Sequence, residues 1–201
     1  MMNKTETEIE SRCLAHPVQV EQRAEGETQK PVIIGYAAVF ESLSENLGGF
    51  REKIARGAFD DVMSDDVRAT YNHDANIVLG RTASGTLRIA LDDKGLRYEI
   101  DPPDTQAARD LLVSMNRGDV KESSFRFMVE DDDWTEDDDG RVVRTIKKFR
   151  RLIDVSPVTY PAYPEASAGQ RSLDAWKEER NKEPDYLAEQ RANALLLAEH
   201  E

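Results

Sequence analysis

Ser123-Ser124-Phe125-Arg126-Phe127-Met128-Val129 carries the alternation on which the reading of this chain turns. Successive side chains of a strand point to opposite faces, so Ser123, Phe125, Phe127 and Val129 share one face and Ser124, Arg126 and Met128 the other. The large apolar side chains belong to a core. Ser124 then points away from that core toward a cleft, while Ser123 is directed inward or serves as a turn hydroxyl. Upstream, Ala108, Leu111, Leu112 and Met115 recur at helical spacing between Thr105, which suits an N-cap, and Gly118, which suits a stop. Downstream, Arg141 to Ile146 and Phe149 to Val155 read as strands. The eight acidic residues between Glu130 and Gly140 read as a solvated connection rather than a calcium loop, whose spaced ligands and central glycine are missing.

Further out the pattern repeats. Val32-Ile33-Ile34-Gly35-Tyr36-Ala37-Ala38-Val39-Phe40 is β-branched and aromatic, the composition of a half-buried strand. Gly57 to Met63 reads as a short helix. Arg68 to Tyr71 and Ile77 to Leu79 are short strands that leave Asn72-His73-Asp74 on a strand end or tight turn, and Asp92-Asp93-Lys94-Gly95 is a hairpin signature between Thr86–Leu91 and Gly95–Ile100. Many short strands, a central helix and several tight turns predict a β-rich α+β fold, a barrel with peripheral helices. Residues 1–30 are polar and read as a mobile arm with one short strand near Pro17 to Gln22; residues 31–164 hold the core; residues 165–201 are charged, Ala/Leu-rich and interrupted by Pro184, a helical appendage with Leu187, Ala194, Leu195 and Leu197 as an apolar stripe.

Composition narrows the function. The formal charge of -13 disfavours nucleic-acid and anionic-membrane partners, because phosphate neutralisation needs a basic stripe that this sequence does not show. The single cysteine, Cys13, cannot close an internal disulfide, and neither a secretory segment nor a run of 18 apolar residues is present. A reducing cytoplasm is the expectation. With one core histidine and no core cysteine, a metal site lacks ligands, and no cofactor loop is visible.

Of three histidines, His16 lies in the arm and His200 is penultimate, so a hydrolase using histidine as general base would use His73. Serines are the nucleophile candidates, with Ser124 placed toward the cleft, although a Ser-Ser pair at a helix-to-strand junction also serves as a turn device. The group that orients the histidine would have to be acidic. Asp154 is one carboxylate in the otherwise apolar Leu152-Ile153-Asp154-Val155-Ser156-Pro157-Val158-Thr159; a salt bridge to Arg150 or Arg151, or exposure on an edge strand, explains it equally well. Asp74 is the alternative third member, with awkward geometry beside His73.

Three segments in this order resemble the phage prohead protease family, itself similar to the herpesvirus capsid protease, assemblin. They are Asn72-His73-Asp74 with Val78-Leu79-Gly80-Arg81, then Arg117-Gly118-Asp119-Val120 leading to Ser124-Phe125-Arg126-Phe127, and Asp154-Val155-Ser156-Pro157-Val158-Thr159-Tyr160-Pro161-Ala162. The resemblance runs from about Val32 to Pro164. It implies an assemblin-like closed or partly closed β-barrel, a serine endopeptidase with Ser124 as nucleophile and His73 as base, and Asp154 as the third residue of the triad, where assemblin uses a second histidine. The implied partners are the scaffold segment of the major capsid protein, the protease itself as substrate, and further copies of the chain in a homo-oligomer. The implied place is the prohead in the host bacterial cytoplasm. Glu122 and Arg126 stand where the family often has glycine, which leaves the lie of the substrate open. A non-catalytic scaffold or assembly factor retaining the fold is the rival reading; an unrelated esterase would show a Gly-X-Ser-X-Gly elbow, and none exists here. Glu165-Ala166-Ser167-Ala168-Gly169 is small-residue-rich, and the resemblance makes it the expected point of self-processing.

Overall fold

The computed structural model describes residues 8–14, 17–26, 28–160 and 169–180. The chain divides into two compact units, Met1–Glu165 and Ala166–Glu201. In the second, residues 169–180 form a helix in which Gln170 Nε2 donates to Asp174 Oδ1 at 3.3 Å. The apolar stripe from Leu187 to Leu197 and the bond between Ala166 and Ser167 lie outside the described residues.

The first unit is sheet-rich α+β. In chain order it contains β1 (Glu10–Leu14), β2 (Gln19–Glu25), β3 (Thr28–Val39), β4 (Arg51–Ile54), β5 (Arg68–Tyr71), β6 (Asp74–Arg81), β7 (Leu87–Leu91), β8 (Gly95–Ile100), α1 (Gln106–Arg117), β9 (Glu122–Glu136) and β10 (Val142–Val158). One sheet runs β1-β9-β10-β5-β6, with β4 also pairing β10; the other runs β2-β3-β8-β7. The ladders form two sheets, with an isolated parallel bridge between Phe40, just past β3, and Ile54 of β4, and no closed barrel is found among the described residues. The chain changes sheets through short connections, such as the 3-10 turn Thr82–Ser84 between β6 and β7.

The alternation read in Ser123–Val129 is realised in β9. Phe125 and Phe127 are buried and stack at 4.7 Å, and both meet Phe149 of β10, which stacks on Phe59 at 4.3 Å. Ser123 shares that face: its hydroxyl lies 3.0 Å from the Tyr98 hydroxyl, which burial pushes well above the ordinary phenol range, so that it stays neutral. Tyr98 reaches Ser123 past Gly35, where a Cβ would sit 2.7 Å from the tyrosine ring. Helix α1 is capped as its sequence predicts: the Thr105 side chain accepts from the Ala108 amide, and Gly118 ends the helix at φ 85°, a left-handed conformation that glycine adopts without Cβ strain. Ala108, Leu111 and Met115 are its buried face.

Two expectations fail for one physical reason. The acidic run is no loose connection over its first half, because β9 continues to Glu136, and the loop is confined to the few residues before β10. Acidic residues are poor strand formers, but here they face the basic run of β10. Lys148 Nζ donates to Glu130 at 2.9 Å, Arg144 Nε to Asp132 at 2.6 Å, and Lys147 pairs with Asp133. In the segment expected as a mobile arm, the short strand expected near Pro17 to Gln22 is found as β2, paired to β3, but β1, paired to β9 with Cys13 opposite Ser124, was not expected. Val18 is buried in the core and Val20 of β2 packs against it, whereas in β1 the inward Glu10 and Arg12 are charges in mutual satisfaction. Arg144, 2% exposed, donates to Glu10 at 2.8 and 3.0 Å and to Glu52 at 3.0 Å, while Arg12 donates to Glu52 at 2.8 Å and to Glu10 at 2.6 Å.

This cluster ties β1 to β4 and β10, and its removal is measurable. Arg144→Ala strands Glu10 and Glu52 with one remaining cation, and losing one partner of a buried ion network costs about 3–5 kcal/mol. Chemical denaturation should show that loss, and Arg144→Met with Glu10→Met should cost less than Arg144→Ala alone; equal stability of wild type and Arg144→Ala refutes the account. Burial works to raise the Glu10 carboxyl, but Arg144 and then Arg12 outweigh it and hold it below its ordinary value of 4.5. A carboxylate lowered in the folded state stabilises above that ordinary value and loses its contribution as pH falls through the lower folded value, so the Glu10 contribution fades below about pH 4.5.

Candidate active site

His73 stands on a turn that its neighbours pin in place. β5 and β6 are joined by Asn72 and His73, both at positive φ (54° and 59°), as a two-residue hairpin turn requires. Asparagine tolerates this conformation; histidine at positive φ is uncommon and persists where surroundings hold it. Here the end of β10 does so. The Asn72 amide donates to Pro157 O at 3.1 Å, Asn72 Oδ1 accepts from the Thr159 amide at 2.8 Å, and Tyr71 Oη lies 2.6 Å from Thr159 Oγ1.

From that turn the imidazole reaches across the sheet face opposite Phe125 and Phe127. His73 Nε2 lies 2.7 Å from Ser124 Oγ, and His73 Nδ1 lies 2.6 Å from Asp154 Oδ1. A carboxylate only accepts, so Nδ1 carries the proton donated to Asp154, leaving Nε2 to accept from the Ser124 hydroxyl. Register explains the convergence: on β10, Ser156 is opposite Ser124 and Asp154 opposite Arg126, and paired residues share a face. Asp154 is 2% exposed, its second oxygen Oδ2 taken by Arg126, with Nε at 2.6 Å and Nη2 in contact. The three residues singled out in the sequence therefore meet. Asp154 bonds to neither Arg150 nor Arg151 through its carboxylate but to Arg126, and Asp74 is turned to Asn76, whose amide it accepts at 2.8 Å.

The expectation that Ser124 opens onto a cleft needs correction. Ser124 has 0% exposure, since β1 closes one side of its strand, β10 the other, and His73 lies over its hydroxyl. His73, at 17% side-chain exposure, is the exposed edge of the group. Sequence reasoning also missed Ser156, fully buried, with Oγ 2.7 Å from Thr70 Oγ1 and 3.2 Å from His73 Nδ1. It lies two residues beyond Asp154, and the period of a strand puts both on one face, which was the available signal. No group of three or more possible metal ligands occurs among the described residues.

The caudovirus prohead serine protease model matches residues 17–179, most of the chain and both of its candidate catalytic strands. The chain belongs to that family. A relative similar in sequence is the prohead protease of Enterobacteria phage HK97, 30% identical over 163 residues, which make up 78% of this chain and 67% of that protein. The solved capsid assembly protease of bacteriophage T4 overlays with a TM-score of 0.49 at 12% identity, over 76% of this chain and 98% of that one. A member of the prohead serine protease family thus presents one serine hydroxyl bonded to one histidine, with a buried carboxylate behind it.

Proposed function

We propose that this prohead-family serine protease cuts peptide bonds with Ser124 as nucleophile, His73 as general base and Asp154 as the orienting acid. It acts on the scaffold segment of the major capsid protein and on its own tail, within the prohead in the host cytoplasm. The observation that carries the reading is the continuous relay from Asp154 Oδ1 through His73 to Ser124 Oγ. As Ser124 Oγ bonds to the scissile carbonyl carbon, its proton passes to His73 Nε2, and the imidazolium so formed is stabilised by Asp154. His73 then gives that proton to the departing amine. Water then bonds to the acyl carbon as its proton passes to Nε2, and the imidazolium returns that proton to Ser124 Oγ as the ester bond breaks, which frees the acid and restores the serine. A non-catalytic scaffold that kept only the fold would have no use for a histidine held at positive φ against a buried serine.

Coexpression with a major capsid protein carrying its scaffold segment tests substrate and site together. Mass spectrometry should find the segment removed and the enzyme itself shortened near Ala166 and Ser167, with both chains intact when Ser124→Ala replaces wild type. Cleavage of the capsid protein alone would refute self-processing, and equal cleavage by Ser124→Ala would refute the assignment of the nucleophile.

A further inference from the structure

We infer that Arg126 is a positioning residue of the reaction, holding the Asp154 carboxylate in the orientation that His73 needs; the inference rests on the catalytic roles proposed above. The two oxygens of Asp154 are divided between two partners. Oδ1 faces His73 Nδ1 at 2.6 Å, and Oδ2 faces Arg126 Nε at 2.6 Å and its Nη2. With one oxygen taken by the guanidinium, rotation of the carboxylate about its Cβ–Cγ bond breaks both hydrogen bonds from Arg126 as well as the one from His73.

Burial sets the need for this arrangement. Asp154 is 2% exposed, and a carboxylate out of water requires both a counter-charge and hydrogen bonds to its lone pairs. His73 supplies a neutral donor before reaction begins. The only cation whose bond to Asp154 is seen among the described residues is Arg126, and the planar fork of arginine engages a carboxylate through two nitrogens where lysine offers one compact charge. Cross-strand pairing fixes the distance: Arg126 and Asp154 are direct partners between β9 and β10, one row from Ser124 and Ser156. The row that carries the nucleophile and the row that carries the acid are thus joined by a single side-chain pair. Arg126 touches neither Ser124 Oγ nor a ring nitrogen of His73, so any effect on the chemistry passes through Asp154.

A small fluorophosphonate probe isolates this effect. Ser124 Oγ bonds to its phosphorus, fluoride leaves, and His73 accepts the hydroxyl proton, so the labelling rate reports activation of the serine with little contribution from peptide binding. Arg126→Gln in the full chain should label slower by on the order of a hundredfold, the scale of a misplaced catalytic group, while Arg126→Lys recovers part of the loss. In an Asp154→Ala background, Arg126→Gln should add no further loss, since its route of action is gone. The downfield proton resonance of His73 Nδ1–H should shift or broaden in Arg126→Gln. Wild-type labelling by Arg126→Gln together with poorer cleavage of the scaffold segment would make Arg126 a substrate contact and overturn the inference, as would full additivity with Asp154→Ala. If Arg126→Gln does not fold, the Arg126→Lys labelling rate decides: a rate equal to wild type overturns the inference. Labelling that persists in Ser124→Ala would instead overturn the nucleophile assignment.

Discussion

Ser124→Ala is expected to lower turnover by on the order of a million-fold, the loss seen when the nucleophile of a serine triad is removed. No other hydroxyl can substitute. Ser123 is the neighbour in sequence, but its side chain is on the opposite face, 3.0 Å from Tyr98 Oη. Thr70 and Ser156 hydroxyls bond each other at 2.7 Å and lie on the Nδ1 side of the imidazole, away from the nitrogen that accepts a proton. Because Ser124 is fully buried, the substitution also leaves His73 Nε2 without its partner, and the fold should weaken by about 1–3 kcal/mol without being lost. Ser123→Ala should show the reverse profile, comparable loss of stability as Tyr98 is left alone, with activity retained. Steady-state cleavage and thermal unfolding of both variants check this. An inactive Ser123→Ala beside an active Ser124→Ala would mean that the strand register is wrong.

Asp154→Asn is expected to lower kcat by on the order of ten-thousand-fold, as in other triads whose acid becomes an amide. The reason is the tautomer. With the amide oxygen facing Arg126, its NH2 group faces His73 Nδ1 and donates to it, so the ring proton moves to Nε2. Nε2 then cannot accept the Ser124 proton. Measurable turnover should remain, since the substitution leaves Ser124 and the rest of the pocket in place, whereas His73→Ala should approach the Ser124→Ala rate. Single-turnover acylation is the appropriate measurement, and an Asp154→Asn enzyme with wild-type acylation would return this residue to a purely structural role.

Local pattern carried much of this architecture. Strand alternation separated Ser123 from Ser124 correctly, helix capping at Thr105 and Gly118 was read as it stands, and the scarcity of histidine left His73 as the core candidate. Such features depend on residues within a few positions of one another, and the period of a strand or helix makes them visible in one dimension. The extension of β9 into the acidic run and the strand β1 were not legible because their partners lie elsewhere in the chain: Glu10 meets Arg144 across 134 positions. A charge that is solvated and a charge that is buried in a matched network look alike until the partner is placed.

The sequence by itself determined the sheet-rich class, the faces of β9 and the small set of residues proposed for acyl transfer. Tertiary structure alone decided which acid hydrogen-bonds His73, since Asp74 is adjacent in the chain but turned to Asn76, whereas Asp154 arrives from β10 beside β9 and β5. It also decided that Arg126, a departure from glycine when read in sequence, grips that acid, and that Ser124 is covered. Spacing along a chain gives direction relative to a local face, but distances between strands are set by pairing register, and 81 residues separate His73 from the carboxylate 2.6 Å away.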